Sequence, residues 1–529
     1  MKNKSINISF FVFLFLFLLF LKIDFRFAEE IYCCGDDHDY FLHAETIGID
    51  FDLDYSNQLK GIEDRRFNKN DKIAPLGFIG SGIFSAPFLA IGNALDFVYE
   101  KTINKQNNLL NYKILFYSMS PVFYLFLSFK LIVSSFDKLN ISYKKRDVLI
   151  LLSGSGVIYY AFERFSMTHV YEVFVGILIF YFCTRFYTSD KEENYYAFLI
   201  PISILLGILV RWVNYYFLVI PIIFKYLFNS KIGNKNLLRN NSYFLSSIFF
   251  SLFTFLTHTK ALYGKFTIDP RYVYNSNLST SSLNTLGSDP SSNIFYDYLN
   301  NLKIIFFSQE FGAIYFSPII SFTFVLLVIH MFQKKEYLNS SFIILLLSYL
   351  QVFSLYYIWQ SSGSAYGLRY LYSLVPVSIF AYYSIKENQK NSHIHKFVLA
   401  VSVFAIFSVL FFETTEGTQL SLEGILNSWG HLSRYAERYY LTGLLESFIA
   451  FDAYLKIFTT SFLGAIFFKI LILIFGIPAL NELLLDLGLP VANDDFQNYL
   501  VEISVIGIDK FVTIVFLAIF LISFFYKKV

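Results

Sequence analysis

The sequence predicts an all-α integral membrane protein with about 12 or 13 transmembrane helices. Of its 529 residues, 55% are hydrophobic and 20% are aromatic, whereas only 16% are charged. Long apolar runs, each able to span the roughly 30 Å hydrocarbon core of a bilayer, recur along the chain. This composition excludes an ordinary soluble protein. A net charge of +2 without a basic domain gives no indication of nucleic-acid binding.

The predicted membrane helices are the hydrophobic runs of sufficient length. They lie near 6–22, 113–136, 147–163, 167–187, 195–210, 215–229, 242–258, 313–332, 339–358, 369–385, 396–412, 456–476 and 510–526. The first run follows Lys2 and Lys4, so it is either a signal peptide or an uncleaved anchor. The sequence at 24–28 lacks the small residue expected three positions before a cleavage site, which favours an anchor.

The segment 76–98 is predicted to be a helix at the membrane interface. Its small and helix-weakening residues suit an interfacial helix at least as well as a crossing one. They are Gly77, Gly80, Ser81, Gly82, Ser85, Pro87 and Gly92. Counting this segment as a crossing would also reverse the side on which every later loop lies.

Basic residues in short loops then predict the orientation. They all fall on one side, which is therefore predicted to be cytoplasmic: Lys138, Lys144, Lys145, Arg146, Lys231, Lys235, Arg239, Lys334, Lys335, Lys386, Lys390 and Lys396. The predicted location is the inner (cytoplasmic) membrane, with the N-terminus in the cytoplasm. The outer face then carries the loops 24–75, 259–312 and 413–455, of which the first holds thirteen acidic and six basic residues. By this count of crossings the segment 477–509 falls on the cytoplasmic side, although it is acidic. One crossing beyond 413 is therefore expected to be miscounted.

Polar residues unusual for a membrane protein gather, in this topology, where helices meet the outer loops. They are Asp36, Asp37, Asp39, Asp50, Asp52, Asp54, Glu163, Arg164, His169, Arg211, Trp212, Asn214, Glu310, Trp359, Arg369 and Tyr370. Each has an ordinary explanation when taken singly: arginines at helix ends can snorkel, a histidine can be a packing residue, and loop acids can simply face water. Their convergence on one surface predicts a site.

Six short motifs hold most of these residues, in a fixed order. They are Asp36-Asp37-His-Asp-Tyr40-Phe-Leu-His-Ala44, Asp52-Leu-Asp54-Tyr-Ser-Asn57, Ala74-Pro75-Leu-Gly77 through Pro87, Ser166-Met-Thr-His169, Arg211-Trp-Val-Asn214, and Gly367-Leu-Arg369-Tyr370-Leu371 through Pro376. Over residues 1–385 this order resembles the GT-C glycosyltransferases, the superfamily of protein O-mannosyltransferases and lipid A aminoarabinose transferases, especially bacterial relatives of unassigned substrate. Two departures are Asp37 in place of the usual Glu, and the missing His-Pro or Lys-Pro pair at Pro75.

The resemblance implies transfer of a sugar from a polyprenyl phosphate carrier, held among membrane lipids, to an extracytoplasmic acceptor that is a glycan, a lipid or a protein. It implies Asp36 as the base that takes the proton of the acceptor hydroxyl, with Asp37 and Tyr40 orienting the base or the sugar. Arg211 and Arg369 would bind the leaving phosphate through their planar forks of donors. The other implied substrate-binding residues are Arg164, His169, Asn214 and Tyr370. Attack opposite the leaving phosphate predicts inversion at the anomeric carbon.

A divalent metal, Mg²⁺ or Mn²⁺, is a further expectation. Asp52 and Asp54 resemble a metal-binding pair, and some members of the wider class use such a metal. Two carboxylates at this spacing are also common in ordinary loops, so both interpretations stay open.

Two alternative functions fit the same residues. A transporter or flippase of a lipid-linked sugar would hold a phosphate with the same basic groups, but it predicts polar residues near the midplane. A surface-polysaccharide polymerase or ligase would move whole oligosaccharides. The chain is predicted to comprise a GT-C-like catalytic part, 1–412, and a C-terminal part of unknown function, 413–529, with an outer loop and one or two further helices. The sugar, the acceptor and the oligomeric state are not readable from the sequence.

Overall fold

The computed structural model describes residues 35–59, 68–69, 72–75, 77–103, 112–162, 164–189, 194–232, 242–268, 294–309, 311–335, 339–358, 366–388 and 392–411, with isolated residues between 445 and 482. Within these ranges the fold is helical, and the strands are β1 (Asn68–Lys69) and β2 (Lys72–Ile73), which pair antiparallel. Among the described residues, three helices are long and apolar enough to cross a membrane: Gly80–Thr102, Tyr112–Lys138 and His169–Thr188. The prediction of an all-α membrane protein is therefore confirmed.

Contacts between residues group the chain into two units. One comprises 34–90 and 117–406 and contains all the predicted site residues, whereas the other comprises 1–33, 91–116 and 407–529. The predicted runs 6–22 and 510–526 lie outside the described residues, and only isolated residues of 456–476 are described. The number of crossings and the proposed division at 412 stay predictions.

The first described helix, α1 (Gly35–Glu45), lies within the predicted outer loop and continues as a π-helical turn, Thr46–Asp50. Asp36 and Asp37 occupy its first turn, where carboxylates interact favourably with the positive end of the helix dipole. Phe51 ends the segment in the left-handed conformation, with φ of 60°. The acidic sequence expected as irregular loop is thus helical at its start.

Most of the segment 76–98, predicted to be interfacial, belongs to a 24-residue helix, α2 (Gly80–Ile103). Gly80 is packed so closely on the backbone of Leu209 and Val210 that an added Cβ would overlap it. The length and composition of α2 permit a membrane crossing as well as an interfacial position. The next helix, α3 (Tyr112–Lys138), matches the predicted run 113–136.

The predicted helix 147–163 is interrupted. It consists of α4 (Lys145–Leu152), a π-helical segment Ser153–Val157 and α5 (Ile158–Phe162). The cause is Gly156, whose φ of 89° is left-handed and whose missing side chain leaves room for Tyr372 Oη, 2.5 Å from where a Cβ would lie. A hydrophobicity pattern alone does not reveal this break.

Four further helices are formed by the middle of the chain. They are α6 (His169–Thr188), α7 (Asn194–Val210), α8 (Ile220–Phe228) and α9 (Ser242–Tyr263). Arg211 has extended backbone angles and separates α7 from a 3-10 helix, Trp212–Val219, that leads into α8. The predicted helix 215–229 therefore begins as a 3-10 helix.

The remaining elements include one helix inside the predicted outer loop 259–312, namely α10 (Ile294–Phe307). They continue with α11 (Ala313–Phe316), α12 (Pro318–Lys334), α13 (Ser340–Ile358), a 3-10 helix Arg369–Leu374, α14 (Val375–Asn388) and α15 (Ser392–Phe411). Helix α6 is the centre of the packing, and Phe180 on it stacks on Phe380 of α14 with ring centroids 4.2 Å apart. The site lies at the N-terminal end of this central helix.

Candidate active site

The first turn of α1 places two adjacent carboxylates in different surroundings. Asp37 is fully buried, and its Oδ2 accepts hydrogen bonds from Arg164 Nε at 3.1 Å and Nη2 at 2.8 Å. Its Oδ1 accepts a short hydrogen bond from Ser166 Oγ. Because Arg164 and Ser166 belong to the turn between α5 and α6, this buried ion pair fixes α1 to that turn.

Asp36 remains accessible. Its side chain is 47% exposed, and its Oδ2 accepts a hydrogen bond of 3.2 Å from Nη1 of Arg369, whose side chain is 19% exposed. Arg369 Nη2 donates to Tyr370 Oη at 3.3 Å, whereas its Nε is buried without a partner among the described residues. The pair therefore combines a carboxylate open to solvent with a cation that still has an unused donor.

A second buried cluster lies where α6 begins. Arg211 Nη1 donates to Glu172 Oε2 at 3.2 Å, and His169 Nδ1 lies 3.0 Å from Glu172 Oε1. The side chain of Glu172 is fully buried and that of Arg211 is 10% exposed. Glu172 was not among the predicted site residues. Its signal in the sequence is the spacing of three from His169, which places both side chains on one face of a helix.

The ring of Tyr370 joins the two arginines. Arg211 Cζ lies 5.0 Å from its centroid and Arg369 Cζ lies 5.3 Å from it. Both distances are within the range of cation–π attraction. The sequence predicted these three residues for one site, and the structure brings them together from elements more than 150 residues apart.

The imidazole of His169 is enclosed by aromatic rings. The rings of Tyr160 and Tyr372 lie 4.3 Å and 5.4 Å from it, centroid to centroid. The hydroxyls of both tyrosines donate to the carbonyl of Tyr366, at 3.3 Å and 2.8 Å. His169 is thus held by packing and by Glu172, and its predicted part in substrate binding stays a prediction.

Two other predicted residues, Tyr40 and Asn214, are buried. Tyr40 on α1 interacts electrostatically with Arg211. Asn214 Nδ2 donates to the carbonyl of Gly207 at 2.9 Å, which satisfies a carbonyl near the C-terminal end of α7. Asn214 therefore supports the backbone that presents Arg211.

The predicted metal pair lies apart from these clusters. Asp52 and Asp54 are exposed, and the Oδ1 of each accepts a backbone N–H two residues on, from Asp54 and Ser56, at 3.0 Å. Such bonds are typical of Asx turns. The bond from Ser56 lowers the pKa of Asp54. Among the described residues no group of three or more His, Cys, Asp or Glu side chains could hold a metal ion.

The turn that carries these acids is attached to α1 through His43. Its Nδ1 lies 2.7 Å from Tyr55 Oη, and both residues are buried. Burial is the main cause that lowers the pKa of His43 to about 3 and raises that of Tyr55. Neither residue was predicted, because a His and a Tyr twelve positions apart carry no local signal. Glu163, Glu310 and Trp359, also considered from the sequence, lie outside the described residues.

The site is balanced in formal charge. Arg164, Arg211 and Arg369 face Asp37, Glu172 and Asp36, respectively. Two of these ion pairs are buried and the third is open. Asp36 and Arg369 are therefore the accessible pair, and the ring centroid of Tyr370 lies 5.0 Å and 5.3 Å from the guanidinium carbons of Arg211 and Arg369.

No family model and no curated protein sequence matches the chain. Among solved structures, the chain is similar to the apo oligosaccharyltransferase of Archaeoglobus fulgidus, with 13% sequence identity and a TM-score of 0.40. The match covers 87% of this chain and 56% of the archaeal one, so the chain spans little more than half the length of that protein.

Proposed function

We propose that the protein is a membrane glycosyltransferase that moves a sugar from a polyprenyl-phosphate-linked donor to a hydroxyl of an extracytoplasmic glycan, lipid or protein. The observation that carries the proposal is the open Asp36–Arg369 pair beside Arg211. It offers a carboxylate that can accept a proton and two guanidiniums that can bind a phosphate, all at the edge of a buried scaffold.

In the proposed reaction, Asp36 accepts the proton of the acceptor hydroxyl. The acceptor oxygen forms a bond to the anomeric carbon as the bond from that carbon to the phosphate oxygen breaks. The electron pair of the broken bond leaves with the polyprenyl phosphate. Because the nucleophile enters opposite the leaving group, the configuration at the anomeric carbon inverts.

Arg369 has two successive partners in this proposal. Without substrate it holds Asp36 at 3.2 Å, and its buried Nε has no partner among the described residues. A donor phosphate would satisfy that Nε and share the guanidinium with Asp36. Arg211, held by Glu172 at 3.2 Å, adds a second positive charge against the developing negative charge of the leaving group.

The buried residues are proposed to position these groups. Arg164 and Ser166 hold Asp37, and thereby the first turn of α1 with Asp36. His169 and Glu172 hold Arg211 in one orientation. Such pre-organisation matters because a misplacement of about 1 Å in a catalytic group can cost about 100-fold in rate.

The test compares purified wild-type protein with Asp36→Asn in mild detergent, supplied with a panel of polyprenyl phosphate sugars. We expect the wild type to release polyprenyl phosphate and the variant to lose about 100-fold or more of that rate while eluting as the same species. Glu100→Gln, which changes an exposed acid on α2, is the matched control and should behave like the wild type. Equal rates in wild type and Asp36→Asn would remove Asp36 as the base.

Transport is the competing outcome. If wild type and Asp36→Asn both move a lipid-linked sugar from one leaflet of a vesicle membrane to the other without releasing polyprenyl phosphate, the protein is a flippase. The positions of the polar residues favour transfer, since Glu172 lies in the first turn of α6 and Arg211 just after α7 ends, so neither is near the middle of a helix.

A further inference from the structure

A large apolar groove lies between α7, α9 and the helical segment that runs from Trp212 through α8. Its volume is about 1160 Å³, which exceeds the range of about 300–1,000 Å³ usual for small-molecule pockets. Its walls are aliphatic and aromatic, with Ile204, Leu205 and Ile208 from α7 and Ile248 and Leu252 from α9. Its shape and lining therefore suit hydrocarbon chains.

The groove is long enough for the acyl chains of a lipid in one leaflet. Tyr215 and Lys225 both line it. Ten residue steps join them, four in the 3-10 helix and six in α8, which is a rise of about 17 Å. Half of the roughly 30 Å hydrocarbon core is about 15 Å, so this stretch alone can accommodate the acyl chains of one lipid.

The part of the groove around Lys225 is polar. Asn229, Asn339 and Ser341 line the groove beside this lysine. Lys225 forms no ion pair or hydrogen bond with the residues that the structure describes, and it is the single charged side chain in the lining. In the sequence, Asn229 is followed by Lys231, Lys235 and Arg239, and Asn339 is preceded by Lys334 and Lys335. In the orientation predicted from these basic loops, Lys225 lies in the leaflet on the basic side of the protein.

We propose that this groove is a binding site for an anionic glycerophospholipid of the leaflet on the basic side. Its acyl chains occupy the apolar walls, and its phosphate pairs with Lys225 and accepts hydrogen bonds from Asn229 or Ser341. The site is distinct from the proposed donor site. Arg211 lies about 25 Å from Lys225 along the helical segment and does not line the groove.

Charge complementarity decides the occupant. A neutral lipid would leave Lys225 without a counter-ion at the edge of the hydrocarbon, where a phosphate with net negative charge compensates it. A polyprenyl phosphate carries the same charge, but the three arginines of the candidate active site lie at the other end of α7. The proposal does not depend on the transferase activity.

The experiment measures lipid binding to the delipidated full chain by native mass spectrometry. The probes are phosphatidylglycerol and phosphatidylcholine with identical acyl chains. We expect wild type to prefer phosphatidylglycerol about fivefold, the effect of one basic residue near an anionic headgroup. Lys225→Gln should abolish the preference and Lys225→Arg should keep it. Lys138→Gln, which changes an exposed lysine predicted to lie on the same basic side, is the control and should leave the preference unchanged.

A second variant tests the walls. Ser251 lines the groove, and its buried hydroxyl has no hydrogen-bond partner in the described part of the chain, so Ser251→Phe fills space without breaking a bond seen there. We expect it to reduce binding of both lipids by at least about tenfold, a change of about 1.4 kcal/mol. Equal binding of the two lipids by wild type, an unchanged preference in Lys225→Gln, or displacement of phosphatidylglycerol by equimolar polyprenyl phosphate would each overturn the proposal.

Discussion

Arg164 and Asp37 form a fully buried ion pair, with Nη2 and Oδ2 2.8 Å apart and side-chain exposures of 3% and 0%. The residues are 127 positions apart, so the pair ties α1 to the turn before α6. Burying two charges costs desolvation energy, and the pair is stabilising only while both partners are present. This dependence gives the first prediction.

Asp37→Asn is expected to lower the free energy of unfolding by about 3–5 kcal/mol, because it removes the carboxylate that neutralises a buried guanidinium. Thermal unfolding in detergent measures the change. The double variant Asp37→Leu with Arg164→Met removes both charges and should recover most of the loss. A double variant as unstable as Asp37→Asn would show that the hydrogen bond from Ser166, rather than charge balance, holds α1.

Tyr370 is expected to act through its ring more than through its hydroxyl. Tyr370→Phe keeps the aromatic face that lies 5.0 Å from Arg211 and 5.3 Å from Arg369, whereas Tyr370→Leu removes it. If the proposed activity holds, Tyr370→Leu should raise the KM for the lipid-linked donor about fivefold to thirtyfold, from a loss of about 1–2 kcal/mol. Tyr370→Phe should stay within about threefold of wild type, and equal effects of the two variants would assign the role to the hydroxyl.

Glu172 is expected to set the orientation of Arg211. Glu172→Gln keeps the shape of the side chain but removes the charge that Arg211 and His169 contact. The expected result is a loss of about 2–4 kcal/mol in stability and a higher KM for the donor, since a buried guanidinium loses its counter-ion. The variant Glu172→Asp keeps the charge but shortens the side chain by one methylene group and tests whether a displaced charge suffices; full donor affinity in Glu172→Asp would contradict a strict orienting role.

The predicted metal site at Asp52 and Asp54 can be tested directly. We expect Asp52→Asn and Asp54→Asn to keep transfer within about twofold, because each Oδ1 accepts a backbone N–H that an asparagine oxygen can also accept. Activity in the presence of EDTA is measured in parallel. A loss of activity in EDTA that Mg²⁺ or Mn²⁺ restores, together with a loss in both variants, would assign a metal to this turn.

The helices were predictable where a long apolar run has no interruption. The run 195–210 is observed as Asn194–Val210, and 113–136 as Tyr112–Lys138. The break at Gly156 was missed because its cause is a tertiary contact with Tyr372. Helix α1 was missed because its first turn is acidic and its apolar residues do not recur along one face, and it is buried by contacts with distant residues such as Arg164 and Tyr117.

The candidate site was likewise predictable only in part. The sequence predicted one site for Arg211, Arg369 and Tyr370, because charged and aromatic residues at helix ends are unusual in an apolar sequence. Which acid pairs with which arginine was not predictable. The pairs Asp36–Arg369 and Glu172–Arg211 join residues 333 and 39 positions apart, and only the fold decides them.

The last prediction concerns pH and rests on His43. Its pKa is lowered from 6.5 to about 3, mainly by burial, with a smaller contribution from nearby His258. The folded protein therefore keeps His43 neutral in a pH range where the unfolded chain binds a proton. Stability contributed by the neutral histidine is present above pH 6.5 and falls as pH decreases from there towards 3, by at most about 1.4 kcal/mol per pH unit.

His43→Gln should flatten this dependence, because glutamine can still bond to Tyr55 Oη but does not titrate. The measurement is Tm between about pH 7 and pH 4 in detergent for wild type, His43→Gln and the control His393→Gln, which changes an exposed histidine. We expect the Tm of His43→Gln to fall less on acidification than that of the other two. Parallel curves for all three proteins would mean that the acid sensitivity does not arise from His43.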